Sequence, residues 1–185
     1  LVDSEVMMGQ LAEAGYEITN NAEEADTVVV NTCGFIESAK QESVDAILEA
    51  TRWKKSGKAN RVIVAGCLVE RYRDDLMKEL PEVDAFIGTN ELGRILDAAD
   101  VNKNFRELPL LPIGNKTATY LYDFDTPRYR ATDSYTAFIK IAEGCDRPCA
   151  FCSIPSMRGS FRSRRFGSIM QEAQDLAKQG VKEIV

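Results

Sequence analysis

Apolar positions along this chain follow two rhythms that take turns. Val2, Val6 and Leu11 stand near helical spacing, Asp3, Ser4 and Glu5 suit a first turn, and Gly15 supplies a stop, so the chain is expected to open on a helix. Residues 16–19 read as a short strand. The β-branched run 27–30 reads as a buried strand, and 61–65 repeats that pattern. Between them, residues 38–55 place Val44, Ile47, Leu48 and Thr51 on one helical face, a core stripe. Residues 68–80 read as a helix broken by Pro81, and 85–88 as a strand. Thr89 or Asn90 then caps a helix running to Ala99. Strands alternating with helices of this length predict a parallel sheet in an α/β fold.

The rhythm fails after residue 100. Pro109, Pro112, Gly114 and Pro127 are scattered among Tyr120, Tyr122, Phe124 and Tyr129, which reads as a linker packed in part on its neighbours. A second unit follows, with a strand at 135–142, a cysteine-rich loop, a helix from Ser168 to Lys178 and a strand at 181–185. Ser168 and Gln171 have capping-box spacing, and Gly180 ends the helix. The expected organisation is an α/β unit over 1–100, a linker over 101–130 and the start of another unit over 131–185. A helix with no strand before it, a first residue that is not methionine, and a last strand cut short together predict a piece of a longer chain.

Composition narrows the class. In 185 residues, 44% are hydrophobic and 28% charged, ordinary for a globular protein, and the longest apolar run (62–69) is far below the roughly 20 residues of a membrane span. Residues 1–10 lack the basic cluster of a signal peptide, which makes the cytoplasm the expected location and a membrane partner unexpected. A net charge of −6 argues against a surface that coats nucleic acid.

Chemistry gathers on the cysteines. Cys145, Cys149 and Cys152 lie in Glu-Gly-Cys-Asp-Arg-Pro-Cys-Ala-Phe-Cys. Three thiolates at these gaps can hold three irons of a cubane that ordinarily takes four cysteines, leaving one iron open to an amine and a carboxylate. A structural zinc site wants four N or S ligands, and the chain has no histidine to complete one. Five cysteines with no sign of secretion do not suggest a disulfide framework, and a redox pair of Cys149 and Cys152 leaves Cys145 unused. Cys33 and Cys67 each follow the carboxyl end of an expected parallel strand, the edge where open α/β sheets place ligands. Each alone is as well explained as a small buried hydrophobe; their matched placement beside Gly34 and Gly66 makes a shared cluster the alternative.

The C-x3-C-x2-C spacing, with Phe151 before the last cysteine, resembles the radical S-adenosylmethionine enzymes, and within them the methylthiotransferase family. Leu-Val-Asp-Ser-Glu (1–5), Val-Asn-Thr-Cys-Gly-Phe-Ile (30–36), Ala-Gly-Cys-Leu-Val-Glu-Arg-Tyr (65–72) and Pro-Glu-Val-Asp-Ala-Phe-Ile-Gly-Thr (81–89) are similar to that family's amino-terminal domain. Lys-Ile-Ala-Glu-Gly-Cys (140–145), the triad and Ile-Pro-Ser-Met-Arg-Gly (154–159) are similar to the start of its radical core, a partial (β/α) barrel that this chain would contain only in truncated form. The resemblance implies two [4Fe–4S] clusters, one on Cys145, Cys149 and Cys152 and an auxiliary one on Cys33, Cys67 and a cysteine upstream of residue 1. It also implies S-adenosylmethionine as cosubstrate and an electron donor as partner. Arg165 stands where the family often has proline, which bears on local loop shape only.

One branch of the family methylthiolates an adenosine of tRNA; the other modifies the β-carbon of an aspartate of ribosomal protein S12. Ile154-Pro155-Ser156-Met157-Arg158-Gly159 departs from the Val-Pro-Tyr-Thr-Arg-Gly of the tRNA branch, and Leu1-Val2 and the run 35–43 also favour the ribosomal-protein branch. By the same resemblance the core cluster binds adenosylmethionine and delivers an electron to its sulfonium, producing a radical that takes hydrogen from an unactivated carbon, and the auxiliary cluster supplies sulfur. From another class, a non-catalytic cluster carrier would show the same cysteines. The isolated piece is expected to be inactive. Phe151 either presses on the adenine or packs the loop. Arg158, Arg162, Arg164 and Arg165 either meet a carboxylate of cosubstrate or substrate by bidentate pairing or brace the fold. Asp3, Ser4 and Glu5 either hydrogen-bond near the auxiliary cluster or serve the helix start.

Overall fold

The computed structural model describes residues 1–107, 120–147 and 149–185. Its first half is a three-layer α/β/α sandwich on a parallel sheet of order β1-β2-β3, formed by Thr27–Thr32, Arg61–Gly66 and Ala85–Ile87. β2 pairs on both sides, in register Val28↔Val62 with β1 and Val64↔Phe86 with β3. Pleating sends Ile63 and Ala65 to one face, against α1 (Val2–Glu13) and α4 (Ile95–Ala99), and Val62 and Val64 to the other, against α2 (Glu37–Lys55) and α3 (Cys67–Glu79). A strand covered on both faces must be apolar at every position, which is why 62–65 reads as an unbroken run.

Several expectations are corrected by tertiary context. Residues 16–19 form no strand: only Ile18 is partly buried, and β1 has no further partner among the described residues. β1 is consequently a half-buried edge, longer than expected, rather than a buried strand. In α2 the buried face is Ser43, Ile47, Ala50 and Thr51, which turns Leu48 outward. The helix expected to run from Thr89 or Asn90 to Ala99 is a 3-10 turn, Leu92–Arg94, leading into α4. Thr89 caps neither, because its hydroxyl donates to the Met157 carbonyl (2.7 Å) and its amide donates to Glu70 Oε2 (2.9 Å).

The second half is built from small pieces. The single strand expected at 135–142 is split into β4 (Thr136–Ala137) and β5 (Ala142–Glu143). β4 pairs in parallel with β7 (Glu183–Ile184), while β5 pairs antiparallel with β6 (Arg162–Ser163). Helix α6 (Phe166–Lys178) joins β6 to β7 and buries Leu176 against Ala137 and Val181. Ser168 does not cap it; Arg165 holds that position, and the Ser168 hydroxyl accepts from Arg164 Nη2 (2.7 Å) and the Phe124 amide (3.2 Å).

Of the expected linker, Pro109, Pro112 and Gly114 lie outside the described residues. Residues 120–131 lie on α1. Tyr122 is buried with Val2 and Val6, the Tyr129 amide donates to the Glu5 carbonyl (2.9 Å), and a side chain at Gly9 would collide with Pro127. Arg128 ties the halves together, its Nε donating to Glu5 (2.7 Å) and its Nη1 to Glu172 (2.7 Å).

Candidate cluster-binding site

Adjacent strands β1 and β2 end together, with Thr32 paired to Gly66, so Cys33 and Cys67 are the next residue on each. Cys33 is held from both sides by Ser43 of α2, whose hydroxyl accepts from its amide at 3.0 Å and lies 3.4 Å from its carbonyl. Cys67 is the first residue of α3 rather than a loop residue. The turn between β2 and α3 passes through Gly66 at φ +105°, where a Cβ would lie 2.5 Å from the Thr32 carbonyl oxygen; only glycine fits. A Cβ on Gly34 would in turn lie 2.8 Å from the Cys67 carbonyl, so the two cysteine backbones are closely packed.

The other three cysteines occupy an excursion between β5 and β6. Its neck is closed by the β5·β6 pair, by the Cys145 amide on the Gly159 carbonyl (3.0 Å) and by the Phe161 amide on Asp146 Oδ1 (2.9 Å). Gly144, at φ +76°, runs against the Ser160 carbonyl and has no room for a side chain. Within the loop the Cys152 amide donates to the Cys149 carbonyl (3.1 Å), and the Arg147 amide points to Cys145 Sγ (3.5 Å). A short helix, α5 (Ile154–Arg158), follows Cys152 directly.

All five cysteines are free thiols; Cys33 and Cys149 are exposed and the others half-buried. Among the described residues no three His, Cys, Asp or Glu side chains converge on a point that would hold a single ion. A cubane asks for something else. Each thiolate takes a different iron, so the sulfurs stand farther apart than ligands of one ion, on a loop open enough to admit the cluster. Reduced, accessible sulfurs on a loop with a fixed neck fit that demand. Phe151 is 90% exposed.

Helix α5 links the two cysteine sets. Arg71 of α3 donates to the Gly34 carbonyl (3.1 Å) and lies 3.5 Å from Ser153 Oγ, beside Cys152. At the far end of α5, Arg158 bonds to Asp3 Oδ2 (2.7 Å) and Glu143 Oε2 (3.3 Å). Lys140 reaches both of the same acids, Asp3 and Glu143 (2.6 Å to the latter). Burial pushes the Cys67 thiol up; Arg158 opposes that rise, and Asp3 and Cys33 add to it. Burial also raises the Asp3 carboxyl, but Arg158 and Lys140 outweigh it and hold the group below its ordinary value.

Arg164 and Arg162 of the basic run brace the fold. Arg164 is buried on Glu172, Ser168 and the Tyr122 ring (4.3 Å) and Arg162 donates to backbone carbonyls, while Arg165 occupies the N-cap position of α6 with an exposed side chain that makes no capping bond. Ser4 accepts from Asn31 Nδ2 (2.7 Å), two residues before Cys33. The contributions of Lys140 and Glu143, and the joining of Asp3 to Arg158, are absent from the motif reading. The one signal for them was their place within the quoted motifs around Cys145 and at the chain start.

Residues 1–88 match the model of the uncharacterized protein family UPF0004. Over its whole length the chain is 55% identical to the ribosomal protein uS12 methylthiotransferase RimO of Solibacter usitatus, covering 38% of that protein. It is 50% identical to the RimO of Koribacter versatilis (44% covered) and 45% identical to that of Clostridioides difficile (41% covered). Along its whole length the chain is similar to these uS12 methylthiotransferases. It spans about two fifths of the length of these curated relatives. No helix among the described residues is long and apolar enough to cross a membrane.

Proposed function

We propose that this chain is the cluster-bearing portion of an enzyme that adds a methylthio group to the β-carbon of an aspartate of ribosomal protein S12. The observation that carries the reading is the pairing of two cysteine sets. Cys33 and Cys67 stand at one sheet edge, Cys145, Cys149 and Cys152 on a necked loop, and a single five-residue helix separates them. The names of the relatives, uS12 methylthiotransferases throughout, favour this branch over tRNA modification.

In this reading the triad holds one [4Fe–4S] cluster with an open iron for S-adenosylmethionine. Cys33 and Cys67, with a cysteine from outside this chain, hold the auxiliary one. Bound there, these groups supply one-electron chemistry and sulfur, which a C–H bond too weakly acidic for proton abstraction requires. The chain's own residues position. Gly66 and Ser43 fix the auxiliary ligands, and the β5·β6 neck fixes the triad. Phe151, largely exposed, would cover the cosubstrate and exclude water. The 1–100, 101–130 and 131–185 division follows these roles, with the reaction in the cytoplasm and an electron donor as partner.

The test uses the full-length enzyme purified without oxygen. Iron and sulfide per chain, the electron paramagnetic resonance signal with and without adenosylmethionine, and the mass of S12 from cells carrying each variant are measured. Cys145→Ala is expected to remove one cluster's iron and the methylthio mass gain on S12, and Cys67→Ala to remove the mass gain while the adenosylmethionine-sensitive signal persists. Zinc at the triad, or a signal indifferent to adenosylmethionine, would overturn the reading in favour of a carrier. A mass gain on tRNA in place of S12 would overturn the branch.

A further inference from the structure

Asp3, Lys140, Glu143 and Arg158 form a closed ring in which each acid touches both bases. Asp3 bonds to Lys140 and Arg158, and Glu143 bonds to the same two cations at 2.6 and 3.3 Å. The side chains are largely buried, between 11% and 22% exposed. Asp3 stands on α1, Lys140 and Glu143 lie just before Cys145, and Arg158 ends the helix that follows Cys152. Contacts that span 137 and 155 positions of sequence thus meet at one point. Ion pairs at this depth contribute little net stability against an apolar alternative, yet losing one member leaves a partner charge uncompensated. That asymmetry suits a register device better than a general brace.

We infer that this ring sets the placement of the triad loop against the first half of the chain, whose sheet edge carries Cys33 and Cys67, with Arg158 as a positioning residue.

The experiment is done on the full-length protein in its cluster-free form. Amide exchange of 140–158 is compared among wild type, Asp3→Asn, Arg158→Gln and the double variant, with α2 as an internal control for intact folding. Each single change is expected to speed exchange in 140–158 by about tenfold with α2 unchanged, and the double change to be no worse than the worse single one. Unchanged exchange, or additive effects of the two changes, would overturn the placement.

Discussion

The sheet and the triad loop keep their shapes by opposite means. β2 is apolar and sealed on both faces, with Val62, Ile63, Val64 and Ala65 all at 0% exposure, and its neighbours align by register alone. The loop region has strands of two residues, a helix of five, and large apolar side chains turned outward at Ile141, Phe151, Phe161 and Phe166. Its order comes from charge and from surface borrowed from α1 and α3. The difference separates two tasks: a rigid platform fixes two thiols, and a loosely filled loop, open to a large inorganic group, is pinned at its neck and at one charged joint.

The comparison is broken most directly by damaging the platform. Ile63→Ala removes three carbons from a site with no room to collapse, and a loss of roughly 2–5 kcal/mol in chemical denaturation is expected. Next comes the sheet edge. Gly66→Val demands a left-handed backbone from a β-branched residue and sets its Cβ against the Thr32 carbonyl. A cost of about 1–3 kcal/mol is expected, with iron lost at Cys33 and Cys67 but retained at the triad. Equal iron at both sites would show that the strand ends do not position those thiols.

Acid should sharpen the contrast. Asp3 is held below its ordinary value of 3.8, so its folded state binds protons less readily than the unfolded chain. The stability it contributes is complete above about pH 4 and is lost as pH falls through its depressed value. The stability difference between wild type and Asp3→Asn, measured by urea midpoint, is therefore expected to shrink from neutral pH to pH 3. A constant difference would mean that Asp3 is not ionised in the ring.

The same division explains what the sequence discloses. The 62–65 run, the α2 stripe around Ile47 and the triad spacing are local signals, and each was readable because neighbours in sequence share one environment. The run 135–142 misled because one apolar stretch serves two partners, β7 and β6, and between them the Lys140 amide donates to the Tyr122 hydroxyl instead of to a strand. Thr89 and Ser168 carry capping chemistry but spend their hydroxyls elsewhere, on Met157 and on Arg164. Residues 16–19 have strand composition without a strand beside them. The charge ring was out of reach of any local pattern, since its members mean nothing until the fold assembles them.

Phe151 gives the smallest structural effect and the finest test of the contrast. A phenyl ring 90% exposed on a well-defined loop contributes almost no burial to this chain, so Phe151→Ala should change stability by no more than about 0.5 kcal/mol. If the ring's purpose is to cover the cosubstrate, its loss should weaken adenosylmethionine binding several-fold, read from the concentration that perturbs the reduced-cluster resonance, while iron content stays at the wild-type level. If the ring packs the loop instead, iron content and thermal stability should fall together. An exposed aromatic between Cys149 and Cys152 adds nothing to the buried surface that holds the sheet, and under the proposed function its open face is the one the cosubstrate would cover.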